Sequence, residues 1–160
     1  MDSIVYTPIG IIHSDFTDKS GMPIQPSSAI GKKGSIKLLP EYTEGLKDLD
    51  GFSHIIVIYH FHKSEGHDLQ TIPFLDNKAH GIFAVRAPKR PNSICLSVLK
   101  LIRVEENILH VENIDILDDT PVLDIKPYIP EFDAAENVKI GWVEKSKGKI
   151  KGKMSDRRFE

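Results

Sequence analysis

The sequence predicts a mainly β fold: a single small antiparallel β-barrel of about eight strands, with long loops and little helix. Three observations carry this reading. Apolar and polar residues alternate at period two in eight segments rich in β-branched side chains, turn residues separate neighbouring segments, and only one stretch has helical spacing. A chain of 160 residues and 18.0 kDa has the length of one domain with its own core.

The expected strands are Ile4–His13, Ser35–Leu39, His54–His62, Gly81–Arg86, Ile94–Val104, Ile108–Ile114, Val122–Ile125 and Val138–Val143. Lys32-Lys33-Gly34 introduces the second, and Glu105-Glu106-Asn107 reads as a three-residue hairpin connection between the fifth and sixth. Neighbours should therefore pair antiparallel. The helical stretch is Pro40–Leu49, where proline suits a first helical position and Tyr42, Leu46 and Leu49 share one face, short enough to lie over a barrel end. Residues 16–34 and 63–80 lack a clean period, and Ala87-Pro88-Lys89-Arg90-Pro91-Asn92 joins two strands. Long loops held on a rigid sheet are where site residues are expected.

Hydrophobic residues at 40% and charged ones at 28% exclude a disordered chain. The apolar run Ile55–Phe61, interrupted by His60, is far shorter than the roughly 20 residues a membrane helix needs. No basic leader or cleavage site opens the sequence, so the expected location is cytoplasmic, with no membrane partner. One cysteine, Cys95, excludes an internal disulfide and a multi-cysteine metal site, and its apolar strand suggests a buried, inert thiol. Residues 145–160 hold seven basic and two acidic side chains, a net +5. The remaining 14 basic and 21 acidic residues give a body of −7, so residues 1–144 read as the barrel domain and 145–160 as a basic tail, either solvated or attracted to nucleic-acid phosphates.

Neither a GxGxxG turn, a Walker loop nor a GxSxG elbow is present. His54, His60 and His62 fall at even positions of one strand, and His60 and His62 have a spacing that can share a metal, with His67 or His80 as a further ligand. Ile56 and Ile58 on the same face argue against that, and no metal is expected. Arg86 and Arg90 flank a proline-restrained turn and suit carboxylate or phosphate recognition. Asp115, Asp118, Asp119, Asp124 and Asp133 surround Lys126 and Tyr128, and Asp124 and Lys126 share the open face of their strand.

Gly51-to-His62 (GFSHIIVIYHFH), GIFAVRAPKRPNSICLS and DTPVLDIKPYIPEFD, preceded by IGIIHSDF and MPIQP, resemble the TsaA-like family of tRNA methyltransferases across about residues 5–135. The resemblance implies a small β-barrel that works as a homodimer, S-adenosylmethionine as methyl donor, and methylation of N6 of threonylcarbamoyladenosine next to the tRNA anticodon. It places cofactor contacts on Pro26, Ser27, Ser28, His62, Lys63, Arg90, Asp115, Ile116, Leu117 and Asp118. Arg90 would take the methionine carboxylate, Asp118 the ribose hydroxyls and ammonium, and Leu117 the adenine face. Asn92, Asp124, Lys126 and Tyr128 would hold the modified base. The chain departs from the family pattern at Ile24, Ser93, Cys95 and Asp119, the last in a turn that prefers positive φ. The chain is also read as lacking a C-terminal extension found in some members, which would leave RNA contact to the basic tail. A non-catalytic ligand- or RNA-binding barrel and a metal hydrolase built on His54, His60 and His62 are the rival readings.

Overall fold

The structure, a computed structural model, describes residues 2–20, 22–146 and 155. Of the basic tail, all but Lys145, Ser146 and Ser155 lie outside the described residues.

Six strands close a barrel: β1 (Gly10–Ser14), β2 (Lys33–Leu38), β3 (His54–His60), β6 (Ile94–Glu105), β7 (Ile108–Glu112) and β8 (Thr120–Pro127). Their order is β1-β2-β7-β6-β3-β8, with every pairing antiparallel. β4 (Gln70–Thr71) and β5 (His80–Gly81) form a separate two-stranded ribbon within the long loop. The class is the expected one, with six barrel strands in place of eight.

Alternation builds the interior. Ile55, Val57 and Tyr59 of β3 point inward, as do Ser97, Leu99 and Leu101 of β6 and Thr120 and Val122 of β8, while His54, Ile56, Ile58 and His60 take the outer side. Two bulges re-aim the pattern. An extra residue, Ile102, interrupts the β6–β7 register, so Val104 rather than Arg103 packs against the core. In β8, Leu123 is the extra residue opposite β3, after which Ile125 meets the core and Asp124 and Lys126 face out. The two barrel strands β6 and β7 are joined by Glu106 and Asn107 alone, with Glu106 at φ 52°, a tighter turn than the three residues expected.

Two expected strands are not strands. Only Gly81 of the 81–86 segment belongs to one; Ile82–Ala84 forms a 3₁₀ turn because its buried residues, Ile82 and Val85, are spaced by three and pack with Ala87 and Trp142 in a satellite core. The 138–143 segment has no ladder partner among the described residues: Val138 is exposed, Gly141 sits at φ 57°, and a 3₁₀ turn covers Gly141–Ser146. The first strand begins at Gly10 rather than Ile4, leaving Ile4, Val5 and Tyr6 exposed. The predicted helix is two 3₁₀ turns, Pro40–Leu46 and Leu49–Gly51, divided by Asp48 at φ 65°. Leu46 and Leu49 still join the main core. A single α-helical turn, α1, spans Pro130–Asp133.

Candidate functional site

The loop before β2, the end of β3, the start of β6 and the loop before β8 meet at one end of the barrel and enclose a cleft of about 930 Å³, counting its open mouth. Its floor is a polar chain that leaves the barrel interior: Tyr59 Oη lies 3.1 Å from Ser97 Oγ, and the Ser97 hydroxyl donates to Asp115 Oδ1 at 2.8 Å. Since serine has one proton to give, the tyrosine donates to Ser97 and the carboxylate accepts. Burial raises the Tyr59 pKa well above its ordinary value, with the Asp115 charge adding to it, so the phenol stays protonated. Desolvation also lifts Asp115, to a pKa of about 7, against the opposing effect of the Ser97 hydrogen bond.

The strand end supplies the next group. His60 closes β3, and beyond it the chain turns so that His62 faces Thr120, with Nδ1 3.2 Å from Oγ1. Partial burial, then Lys63, lowers the His62 pKa and favours the neutral ring. Lys63 Nζ donates to the Thr17 carbonyl at 2.8 Å, tying this corner to the first loop. Asp115, Ile116 and Leu117 line the cleft together. Their segment is locked onto β1 by the Ser14 hydroxyl donating to Ile116 O at 2.7 Å and by Asp118 N–H donating to Phe16 O at 2.7 Å.

Of the expected cofactor residues, the structure thus gathers His62, Lys63, Asp115, Ile116 and Leu117 in one cleft. Ser27 lines an adjoining cleft, and the others stand outside both. Pro26–Ser28 is a 3₁₀ turn closed by Ser28 N–H on Gln25 O and Ala29 N–H on Pro26 O; it bends away and leaves Pro23, Ile24 and Gln25 at the cleft. Arg90 is turned into its own loop, with Nη1 donating to Ile82 O at 3.0 Å and Val85 O at 2.7 Å and its guanidinium 5.9 Å from the Phe83 ring centre. Asp118 accepts from Ser14 N–H at 3.1 Å and lies 3.3 Å from His13 Nδ1; the backbone bond foremost holds its pKa below the ordinary range. Asp119 occupies positive φ, at 59°, as its turn demands.

The four residues assigned to the base are not brought to this cleft. Asn92 sits in the turn before β6, where its carbonyl accepts from Ile94 N–H at 2.7 Å. Asp124 and Lys126 pair at 2.6 Å on the outside of β8, and Tyr128 meets the edge of His54. Thr120 lies in the cleft, and at about 3.3 Å per strand residue Asp124 to Tyr128 stand roughly 13–26 Å down the strand. The histidines do not converge either: among the described residues the one cluster with mutually close ligand atoms is His13, Asp118 and Asp119.

Several lining residues escaped the sequence reading. Ser97 and Tyr59 look like ordinary strand positions, and only the pleat and the Ser97–Asp115 contact mark them. Arg86, singled out with Arg90, does line the cleft, and its Nη1 donates to Gln25 Oε1 at 3.4 Å. Cys95 is half-buried, packed against the main core and facing the cleft, with its thiol pKa raised by burial.

Residues 11–134 match the model of the tRNA-methyltransferase O N-terminal domain. The chain belongs to this family. Relatives of the tRNA-methyltransferase O family include a probable S-adenosyl-L-methionine-binding protein of Pyrococcus abyssi, 51% identical over 98% of this chain and 85% of that protein. The human tRNA (adenine(37)-N6)-methyltransferase is 37% identical over 85% of this chain but 32% of its own length. A crystal structure of tRNA-methyltransferase O from Pseudomonas aeruginosa superposes with a TM-score of 0.75 at 37% identity, over 88% of this chain and 63% of that one. The chain therefore spans under two thirds of the solved family member and about a third of the human relative.

The cleft suits an S-adenosylmethionine on its own chemistry. A carboxylate at Asp115 answers an ammonium or sulfonium, cationic Lys19 and Lys63 answer a carboxylate, and Phe61 and Leu117 offer apolar surface for an adenine.

Proposed function

We propose that this chain is an S-adenosylmethionine-dependent tRNA methyltransferase acting on N6 of threonylcarbamoyladenosine next to the anticodon. The observation that carries the reading is the barrel-end cleft, which joins one half-buried carboxylate to lysine cations and an apolar wall on the framework of the tRNA-methyltransferase O family. The relatives' names supply the donor and the tRNA adenine. Bound there, S-adenosylmethionine supplies an electrophilic methyl on its sulfonium. The protein's part is to orient: Asp115 holds the cationic end, the 115–117 segment fixed to β1 fixes the depth of the ligand, and His62 with Lys63 closes the rim. Positioning of this kind accounts for large rate factors without strong acid–base chemistry.

A cytoplasmic homodimer belongs to the same reading. Ile94, Leu96 and Ile102 are apolar and exposed along β6 on one side of the barrel, a strip a twofold partner would cover. Light scattering at micromolar concentration should give twice the chain mass, and a monomer that transfers methyl groups would defeat the dimer.

Nucleoside mass spectrometry of tRNA from cells with and without the gene tests the activity. The N6-methylated form of the modified base should vanish with the gene and return with the wild-type chain. Tight S-adenosylmethionine binding with unchanged tRNA nucleosides would favour a non-catalytic binder.

A further inference from the structure

A second cleft, of about 1260 Å³ with its mouth, adjoins the first. The two share Ile24, Gln25, Phe74, Arg86 and Pro88, so they are lobes of one depression separated by the Gln25–Arg86 pair. The second lobe differs in character. Its walls are mostly apolar, with Val85 and Ala87 behind, Phe83 on the rim at 79% exposure, and Trp142 packed against the Ile82, Val85 and Ala87 cluster. Trp142 is held in place by its Nε1–H donating to Ala84 O at 2.8 Å and by stacking on His80 at 4.5 Å. Arg86 is the one charged side chain among the described residues of this lining. It is exposed, and its bond to Gln25 is a long one, leaving most of the guanidinium's donors for a ligand.

We propose that the second lobe is the acceptor site, in which the target adenine lies against the Phe83 and Trp142 surfaces while Arg86 reads the carboxylate at the end of its N6 substituent. The assignment rests on the methyltransferase reading above. Three features lead to it. Methyl transfer needs the acceptor nitrogen within roughly 3–3.5 Å of the donor carbon, so the acceptor site must share a wall with the donor cleft, and this lobe does. Aromatic faces at an open rim are what an unstacked base occupies. A single guanidinium in an otherwise apolar lobe pairs with one planar anion and discriminates against the uncharged analogue. Arg86 at the septum also explains how the N6 edge is directed at the donor: a carboxylate held there leaves the base on one side and the donor cleft on the other.

The test uses the full chain and three synthetic anticodon stem-loops, carrying at the target position threonylcarbamoyladenosine, the same base with the carboxylate converted to a carboxamide, or plain adenosine. Wild-type kcat/KM should favour the carboxylate RNA over the carboxamide by at least about 30-fold. In Arg86→Gln that ratio should fall below about threefold, whatever the overall rate, since any effect through the donor lowers both RNAs alike. Arg86→Lys should recover part of the ratio. Phe83→Ser, at an exposed position, should raise KM at least about fivefold for both modified RNAs with S-adenosylmethionine affinity by calorimetry unchanged. A ratio kept by Arg86→Gln, or a Phe83→Ser enzyme with unaltered KM, overturns the proposal while leaving the methyltransferase reading intact. A wild-type chain that binds S-adenosylmethionine and methylates none of the three RNAs overturns that reading instead.

Discussion

Asp115 has the most consequential environment of any residue in the cleft. Its pKa of about 7, raised chiefly by desolvation, means that in the ligand-free fold it is protonated over a range where the unfolded chain, near 3.8, is not. The folded state then binds the extra proton, so stability declines as pH rises through the interval between the two values, at about 1 kcal/mol per pH unit near its middle. Chemical denaturation of the free protein at pH 5, 6 and 7 should show that fall, and Asp115→Asn should largely remove it. A cationic ligand prefers the carboxylate, so S-adenosylmethionine affinity should climb as pH rises from 6 to 8 and go flat and weaker in the asparagine variant; calorimetry reads both. Arg90 is the opposite case, expected to meet a ligand carboxylate and found instead clasping Ile82 O and Val85 O. Arg90→Ala should therefore lower stability by about 1–2 kcal/mol, measured by thermal unfolding. Unchanged stability with donor affinity weakened more than tenfold would return Arg90 to the donor site.

At the scale of elements, the closest strand contacts depend on two glycines. A Cβ at Gly34 would come within 2.7 Å of both His13 O and Ile114 Cδ1, and one at Gly10 within 2.5 Å of Lys37 O. Gly34→Ala must push β1 from β2 or displace Ile114, which precedes Asp115. It should cost about 1–3 kcal/mol and weaken donor binding as well, whereas Gly45→Ala, with open space around it, should do neither. Denaturant midpoints for the two variants check this. The barrel strands were legible because their core contacts repeat every second residue: His54–His60, Ile94–Glu105 and Ile108–Glu112 all lie where alternation puts them. The 81–86 segment has the same composition, but its buried pair is three apart, a spacing that only the satellite core with Trp142 reveals. The site divides in the same way. His62 and the 115–117 run, named from the resemblance, line the cleft, while in the first loop the lining falls on Pro23, Ile24 and Gln25, and no periodicity in the sequence marks that. The second lobe forms where the three loops marked as candidates meet, and Arg86 is singled out in it, but nothing local points to Phe83 or to Trp142 in the segment after α1.

Across the whole molecule, the basic tail meets the acidic body at Ser146, whose hydroxyl donates to Leu75 O at 2.8 Å, and again at Ser155. Ser155 N–H donates to Met22 O at 2.7 Å, Met22 N–H donates to Ser155 Oγ at 2.9 Å, and that hydroxyl donates to Lys19 O at 2.5 Å. Ser155 also lines the donor cleft, so this part of the tail has a seat on the barrel in addition to whatever its charge attracts. The two contributions predict different signatures. Ser155→Pro removes the amide proton and the hydroxyl but leaves the +5 of residues 145–160 untouched. Without these bonds S-adenosylmethionine binding should weaken by about 1–2 kcal/mol, or roughly 5–30-fold, with the salt dependence of tRNA binding unchanged. Replacing Lys147, Lys149, Lys151 and Lys153 by glutamine removes four charges and keeps Ser155. For every phosphate that is then no longer neutralised, the slope of log affinity against log salt should fall by about 0.7–0.9, borrowing the values established for DNA, while donor affinity holds. Calorimetry with the donor and filter binding of tRNA at two salt concentrations separate the two variants. A tail stripped of these lysines with an unaltered salt slope would remove the tail from RNA capture, and a Ser155→Pro chain with full donor affinity would show that the seat on Lys19 and Met22 does nothing for the cleft it borders.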